Sequence, residues 1–130
     1  PRKRKRWPSS LVMDGPELVK FTLEVVPPTV DQALAAAGWA HEDVDFYLMH
    51  QATAFLLNHL REKMSLDNER MPVDLEEYGN TVSSTLPILI DRMRRGGQLK
   101  PGTRTVMVGF GVGLSWAGVT WTETWRETKP

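Results

Sequence analysis

The sequence has 130 residues, of which 41% are hydrophobic and 25% are charged, the balance of one ordinary globular domain. It has no cysteine, which excludes a disulfide framework, a thiolate metal site and a cysteine nucleophile within these residues. No apolar run approaches the roughly 20 residues of a membrane span, and no signal-peptide core follows the basic start. No group of side chains has metal-ligand spacing. We therefore expect a cytoplasmic protein without a membrane segment or a metal ion.

Basic residues are concentrated at the start of the chain. Five of the sixteen lie in Arg2–Arg6, so the rest of the chain has eleven basic and sixteen acidic residues, a net charge of −5. Nucleic-acid binding needs a basic footprint on the fold itself, so an acidic body gives no reason to expect a nucleic-acid partner. We interpret residues 1–9 as a basic linker or tail, with a nuclear signal or a nucleic-acid arm as the alternatives.

The first third of the chain predicts mainly helix. Residues 10–13 read as a short strand, and Asp14-Gly15-Pro16 reads as a helix start, where the missing N–H of proline costs little. Pro27-Pro28 should interrupt that helix, because an interior proline removes a hydrogen bond. The helix should resume over Val30–Ala37 and end at Gly38.

The remaining elements alternate between strand and helix. The predictions are a turn at 42–44, a buried strand at 45–49, a helix at 52–64, a short strand at 73–75, a helix at 82–95 kinked by Pro87, and strands at 105–110 and 115–122. The short loop between the last two strands predicts an antiparallel hairpin. The order indicates an α/β fold, with one mixed sheet covered by helices on both faces. We expect the domain to span 10–123 and residues 124–130 to form a tail.

His50-Gln51-Ala52 lies where the buried strand ends and a helix begins. Ligands of open α/β sheets bind at such carboxyl ends of strands. A nearby helix N-terminus disfavours a positive imidazole, so we expect His50 to be neutral and to act as a hydrogen-bond donor. A purely structural role for His50 is the alternative, and we interpret His41 and His59 as structural.

Two glycine-containing segments are further candidates. Asn80 in Gly79-Asn80-Thr81 stands at a predicted helix start, where it caps the helix or serves a site. Gly109-Phe110-Gly111-Val112-Gly113 lies between two strands, where glycines permit a tight hairpin or a close approach to a ligand. The second segment is not a dinucleotide fingerprint, because a strand and not a helix follows the glycines.

Taken together, these segments resemble the C-terminal half of the β-ketoacyl-acyl-carrier-protein synthase III family, a thiolase-like family. The resemblance covers residues 11–122, and the motifs that carry it are Met13-Asp14-Gly15, His50-Gln51-Ala52, Tyr78-Gly79-Asn80-Thr81, Lys100-Pro101-Gly102 and Gly109–Gly113 with Trp116. The resemblance implies a three-layer α-β-α half-fold, which is one of two similar halves. It also implies a decarboxylative condensation of an acyl thioester with a malonyl thioester, with no cofactor.

The resemblance assigns roles to individual residues. His50 and Asn80 match the family's catalytic donors to the malonyl thioester carbonyl, and such a donor is worth roughly 3 to 4 kcal/mol. Phe110 matches an aromatic residue beside the nucleophile, and the N–H of Val112 matches an oxyanion donor. Gly15 and Ala52 match residues that line the pantetheine tunnel, although small residues there also suit plain packing.

The chain departs from the family pattern in three places. The nucleophilic cysteine is absent, which implies that the missing N-terminal half or a partner chain supplies it. Many members have glycine in place of Val112. Phe55 stands where many have a basic residue facing the acyl carrier protein, which leaves room for substrates linked to coenzyme A. We expect acyl-CoA and malonyl thioester substrates, with coenzyme A or an acyl carrier protein as the thioester carrier, and a homo-oligomer. The alternatives are another thiolase-superfamily acyltransferase, chalcone-synthase-like or hydroxymethylglutaryl-CoA-synthase-like, and a non-catalytic partner subunit.

Overall fold

The computed structural model describes residues 14–126, so the basic segment, the strand predicted at 10–13 and the last residues of the tail lie outside it. Three helices and three strands form the fold. They are α1 (Gly15–Ala37), β1 (Phe46–Met49), α2 (Ala54–Lys63), α3 (Thr85–Arg95), β2 (Arg104–Gly111) and β3 (Ser115–Thr122), with short 3₁₀ turns at His41–Asp43 and Val82–Ser84. Over residues 14–126, none of the helices combines the length and the apolar character that crossing a bilayer requires.

The sheet is mixed, as the sequence predicts. β1 pairs with β2 in parallel, and β2 pairs with β3 as an antiparallel hairpin. Because β2 lies in the middle, β1 and β3 are the two outer strands of the described sheet. Met49 at the end of β1 lies opposite Val108, so β1 and β2 run toward the same edge of the sheet.

The alternation of side chains along the strands builds two cores, one on each face. Tyr47, Met49, Val106 and Val108 face α1 and α2. Leu48 faces the other way and packs with Leu89 and Met93 of α3. Successive side chains of a strand point to opposite faces, so these two sets confirm the prediction of helices on both sides.

Helix α1 runs without a break through Pro27 and Pro28, so the predicted interruption is wrong. The two prolines deprive the carbonyls of the fourth residues before them of their usual helix donors. Burial outweighs this loss, because one stripe of α1 is buried on both sides of the prolines and the helix packs against β2 and β3. The buried residues of that stripe are Thr22, Val26, Val30 and Leu34. Each apolar member contributes about 1.5–3 kcal/mol, which offsets the roughly 3 kcal/mol of an interior proline.

Three smaller predictions also need correction. Helix α2 begins at Ala54 and not at Ala52, because the Thr53 side chain accepts a hydrogen bond from the N–H of Leu56 and caps the helix there. Residues 73–75 form no strand, and the N–H of Asp74 donates to the side chain of Gln51 and not to a neighbouring strand. The helix predicted from residue 82 begins as a 3₁₀ turn and becomes α-helical only at Thr85.

Candidate functional site

His50 follows β1 at the edge of the sheet where β1 and β2 end. Its N–H donates to the carbonyl of Val108 at 3.0 Å, which extends the parallel pairing by one residue and fixes the backbone. The imidazole lies edge-on to the ring of Phe110, with centroids 5.4 Å apart and planes at 78°. The structure thus brings together two of the predicted site residues, His50 and Phe110.

The imidazole of His50 is half-buried, and this burial lowers its pKa below the ordinary value of 6.5. A neutral side chain was predicted from the helix that follows. The lowered pKa agrees with a neutral imidazole, but its cause is burial of the ring. The helix N-terminus is not the cause, because α2 begins four residues after His50. Nδ1 of His50 lies 2.7 Å from Oγ1 of Thr85. Within residues 14–126, no hydrogen bond engages Nε2 of the same ring.

Asn80 lies in the segment that leads into α3. Its Oδ1 accepts a hydrogen bond of 2.9 Å from the N–H of Val82, which fixes which end of the amide is the acceptor. The amide nitrogen of Asn80 makes no hydrogen bond to any described residue. Val82 has a φ of 56°, a left-handed conformation that is rare for a β-branched residue. Strained backbone of this kind clusters at functional sites.

A continuous set of contacts joins Asn80 to His50. Oγ1 of Thr85 lies 3.1 Å from the carbonyl oxygen of Val82 and 2.7 Å from Nδ1 of His50. The N–H of the same Val82 holds Asn80. The two predicted donors are therefore linked through Val82 and Thr85.

Gln51 and Arg92 hold the segment that carries Asn80. The side chain of Gln51 is 1% exposed, donates to the carbonyl of Met49 at 2.8 Å and accepts from the N–H of Asp74 at 2.7 Å. Arg92 of α3 forms an ion pair with Asp74 at 2.8 Å and a second one with Glu77. The stretch before Asn80 is thus anchored to the end of β1 and to α3.

Sequence reasoning missed the positions of Thr85, Arg92 and the side chain of Gln51 in this arrangement. The role of Gln51 could have been predicted, because a glutamine directly after a buried strand needs buried hydrogen-bond partners. Thr85 gave no signal, since its contact with His50 spans 35 residues and depends on how α3 packs.

Of the other predicted residues, Val112 and Gly15 have no contact with this cluster within the described residues, and Ala52 contacts it through the backbone. Val112 is 58% exposed in the turn between β2 and β3, beside Gly113 with a φ of 82°. Gly15 opens α1, and a Cβ added there would meet no described atom within 4 Å. Ala52 is half-buried and packs against the core under α2. No hydrogen bond or ring contact within residues 14–126 joins Val112 or Gly15 to His50, whereas the N–H of Ala52 donates to the carbonyl of His50 at 2.9 Å.

The two remaining histidines have structural contacts, as interpreted from the sequence. His41 bridges Tyr47 and Asp31, at 2.8 and 3.0 Å. Nδ1 of His59 lies 2.8 Å from the carbonyl oxygen of Phe55 on the exposed side of α2. In the described part of the chain, no group of three or more histidine or acidic side chains could hold a metal ion.

The family model and the curated relatives indicate one family. Residues 34–122 match the family described as 3-oxoacyl-[acyl-carrier-protein (ACP)] synthase III C terminal. The chain is 39% identical over 108 residues to the beta-ketoacyl-[acyl-carrier-protein] synthase III of Gloeobacter violaceus, an alignment that covers 83% of this chain and 33% of that protein. The chain spans about a third of the length of the curated relatives it matches.

Solved structures are similar over most of the chain. A crystal structure of a 3-oxoacyl-(acyl-carrier-protein) synthase III superposes with a TM-score of 0.83 at 45% identity, covering 85% of this chain and 33% of that one. The synthase III of Thermus thermophilus superposes with a TM-score of 0.86 at 31% identity, covering 90% and 36%. The three-layer thiolase-like fold predicted from the sequence is confirmed. This chain belongs to the family of synthase III C-terminal domains.

Proposed function

We propose that this chain is the part of a cytoplasmic synthase III-like condensing enzyme that binds the malonyl thioester and stabilises its enolate. The observation that carries the proposal is the linked pair His50 and Asn80. Each has one side-chain atom engaged inside the domain, Nδ1 of His50 and Oδ1 of Asn80. The opposite atoms, Nε2 and Nδ2, remain available as donors to a substrate oxygen.

The reaction that suits two such donors is a decarboxylative condensation. The malonyl carboxylate leaves as carbon dioxide, and its electron pair forms an enolate whose oxygen receives the hydrogen bonds of His50 and Asn80. The enolate carbon then attacks an acyl-cysteine thioester. The carbon–sulfur bond breaks, the cysteine leaves as a thiolate, and a 3-oxoacyl thioester is released. Because this chain has no cysteine, the nucleophile belongs to a separate part of the enzyme.

Preorganised donors favour the step in which charge develops on oxygen. Half-burial of His50 removes competing water, and the Phe110 ring holds the imidazole plane. In our proposal Phe110 also shapes the cavity beside the cysteine, and the N–H of Val112 serves the second oxyanion. A tunnel-lining role for Gly15 is supported by the space beside it, because no described atom lies within 4 Å of where its Cβ would be. Ala52 is assigned to the same tunnel by its place after His50.

The exposed surface of α2 helps to distinguish coenzyme A from a carrier protein as the group that carries the thioester. Phe55 is 61% exposed, and its ring centroid lies 4.2 Å from that of His59. The phenyl ring of Phe55 offers no ion pair to a carrier protein, unlike the basic residue that many family members have at this position. We therefore propose coenzyme A as the carrier of the substrates, and parallel assays with coenzyme A and carrier-protein thioesters test this choice.

The direct test of the proposal is the variant His50→Ala in the assembled enzyme, meaning this chain combined with the cysteine-bearing remainder of the synthase. Removing one oxyanion donor should slow condensation at least about 100-fold. His41→Ala is the matched control, because His41 contacts Tyr47 and Asp31 at the opposite end of β1 from His50. Product formation from radiolabelled malonyl thioester measures both variants. Equal rates for the two variants and the unmodified enzyme would refute the proposal.

A further inference from the structure

The hydroxyl group of Thr85 has three polar neighbours. Thr85 is the first residue of α3 and is 3% exposed. Its Oγ1 lies 2.7 Å from Nδ1 of His50, 3.1 Å from the carbonyl oxygen of Val82 and 3.3 Å from the backbone nitrogen of Gln51. A hydroxyl has one proton to donate and two lone pairs, so the proton can serve only one of these neighbours.

The proton can be assigned from what each neighbour requires. The N–H of Gln51 is only a donor, so it occupies a lone pair of Oγ1. The carbonyl oxygen of Val82 already accepts the backbone N–H of Thr85 itself, so it does not depend on the hydroxyl. Nδ1 of His50 remains, at a separation of 2.7 Å. That separation is typical of an O–H donor, whereas bonds donated by N–H are usually about 2.9–3.0 Å long.

We infer that Thr85 is a positioning residue that donates its hydroxyl proton to Nδ1 of His50. A neutral imidazole that accepts at Nδ1 must carry its proton on Nε2. Thr85 therefore selects the tautomer in which the outward nitrogen of His50 is a donor. Its catalytic consequence rests on the proposed function, in which that donor binds the thioester oxygen.

Two other features keep this arrangement in place. Burial lowers the pKa of His50, so the ring carries a single proton near neutral pH and the choice of nitrogen matters. The edge-on contact with Phe110 holds the ring plane. The imidazole is therefore held at Nδ1 by Thr85 and in its ring plane by Phe110, and its tautomer depends on Thr85.

Nitrogen-15 NMR of the histidine side chains, recorded on the unmodified chain near neutral pH, tests the inference without substrate. We expect His50 to show a protonated Nε2 and an unprotonated Nδ1, assigned by loss of its signals in His50→Gln. The opposite pattern would overturn the inference. This measurement needs no catalytic activity, so its failure is distinguishable from a failure of the proposed function.

A matched pair of variants separates positioning from plain packing. Thr85→Ser keeps the hydroxyl and should keep the Nε2-protonated pattern. Thr85→Val keeps the shape but removes the hydroxyl, and should let the Nδ1-protonated form appear. In the assembled enzyme, Thr85→Val should lower kcat about fivefold or more, the factor that one net hydrogen bond is worth in an equilibrium, with little change in KM. Unchanged tautomer signals in a folded Thr85→Val chain would contradict the inference. If that variant does not fold, the spectrum of the unmodified chain still decides.

Discussion

Val82 holds Asn80 in place through a backbone conformation that is unfavourable for valine. Its φ of 56° lies in the left-handed region, and its side chain is 72% exposed, so packing does not repay the strain. Such a residue costs on the order of 1–3 kcal/mol. This conformation directs the N–H of Val82 toward Oδ1 of Asn80, which accepts its hydrogen bond. The strain at Val82 thus fixes the orientation of the Asn80 amide.

Val82→Gly should therefore raise the free energy of unfolding, although it removes a side chain. Glycine adopts positive φ without strain, and its greater freedom in the unfolded chain offsets part of the gain. The expected net increase is up to about 1 kcal/mol, measured by urea unfolding. Val119→Gly is the control, since Val119 is exposed on β3 without a positive φ, and should lower stability. A loss of stability in both variants would disprove strain at Val82.

At the residue scale, the adjacency of two predicted residues, His50 and Phe110, follows from the strand ends at which they lie. His50 ends a buried strand, and Phe110 lies near the end of the neighbouring parallel strand, so adjacency follows from the pairing. Thr85 could not be found in this way. Its contact with His50 depends on the point where a 3₁₀ turn becomes α3, and no local pattern sets that point.

At the scale of elements, helix α1 packs closely against strand β3 of the hairpin. Gly118 of β3 lies against Thr29 of α1, and a Cβ added at Gly118 would stand 2.7 Å from Cγ2 of Thr29. Thr29 cannot easily move, because its hydroxyl donates to the carbonyl of Val25 at 2.6 Å. The close approach of helix and strand therefore requires glycine at this position.

Gly118→Ala should destabilise the chain by about 1–3 kcal/mol, the usual cost of inserting a methyl group into a packed contact. Gly111→Ala is the control, because a Cβ at Gly111, at the end of β2, would meet nothing within 4 Å. Thermal or urea unfolding of the two variants measures the difference. If Gly118→Ala is no less stable than Gly111→Ala, α1 does not pack on β3 as described.

The helix α1 also shows the limit of reasoning from local pattern. Pro27-Pro28 predicts a break, and every local propensity supports that prediction. The break is absent because the buried stripe continues on both sides of the prolines, from Thr22 to Leu34. The hairpin, the mixed sheet and the order of the elements other than the strand at 73–75 were predictable, because they depend on periodicity and loop length. The positions at which α2 and α3 begin, Ala54 and Thr85, depend on capping and on long-range contacts.

At the scale of the whole molecule, the end of the described chain is tied back to α3. Glu123 is 2% exposed and forms a paired contact with Arg94. Burial alone would raise the pKa of Glu123, but the N–H of Trp125 and the Arg94 guanidinium outweigh it, and the net pKa is lower than usual. Glu123 therefore contributes stability at neutral pH that is lost as the pH falls through its lowered pKa.

The chain spans about a third of the length of its curated relatives, and its last strand is exposed. Val119 and Trp116 of β3, and Leu114 in the turn before it, are large exposed apolar residues. An apolar strand that is largely exposed at the edge of the described sheet is a surface for pairing with another chain. The homo-oligomer and the complementary half expected from the sequence stay predictions, and β3 is the surface that we assign to them.

The central claim is that His50 and Asn80 act as a unit on one substrate oxygen. Asn80→Asp keeps the acceptor for the N–H of Val82 and removes the donor, while Asn58→Asp on exposed α2 is its matched control. Residues that act as a unit show strongly non-additive losses.

The most direct test is a double-variant cycle in the assembled enzyme, following release of carbon dioxide from the malonyl thioester. We predict that His50→Ala and Asn80→Asp each slow decarboxylation at least about 100-fold, and that the double variant is little slower than either one. Losses that multiply in the double variant, or a rate near that of the unmodified enzyme in either single variant, would contradict a shared site.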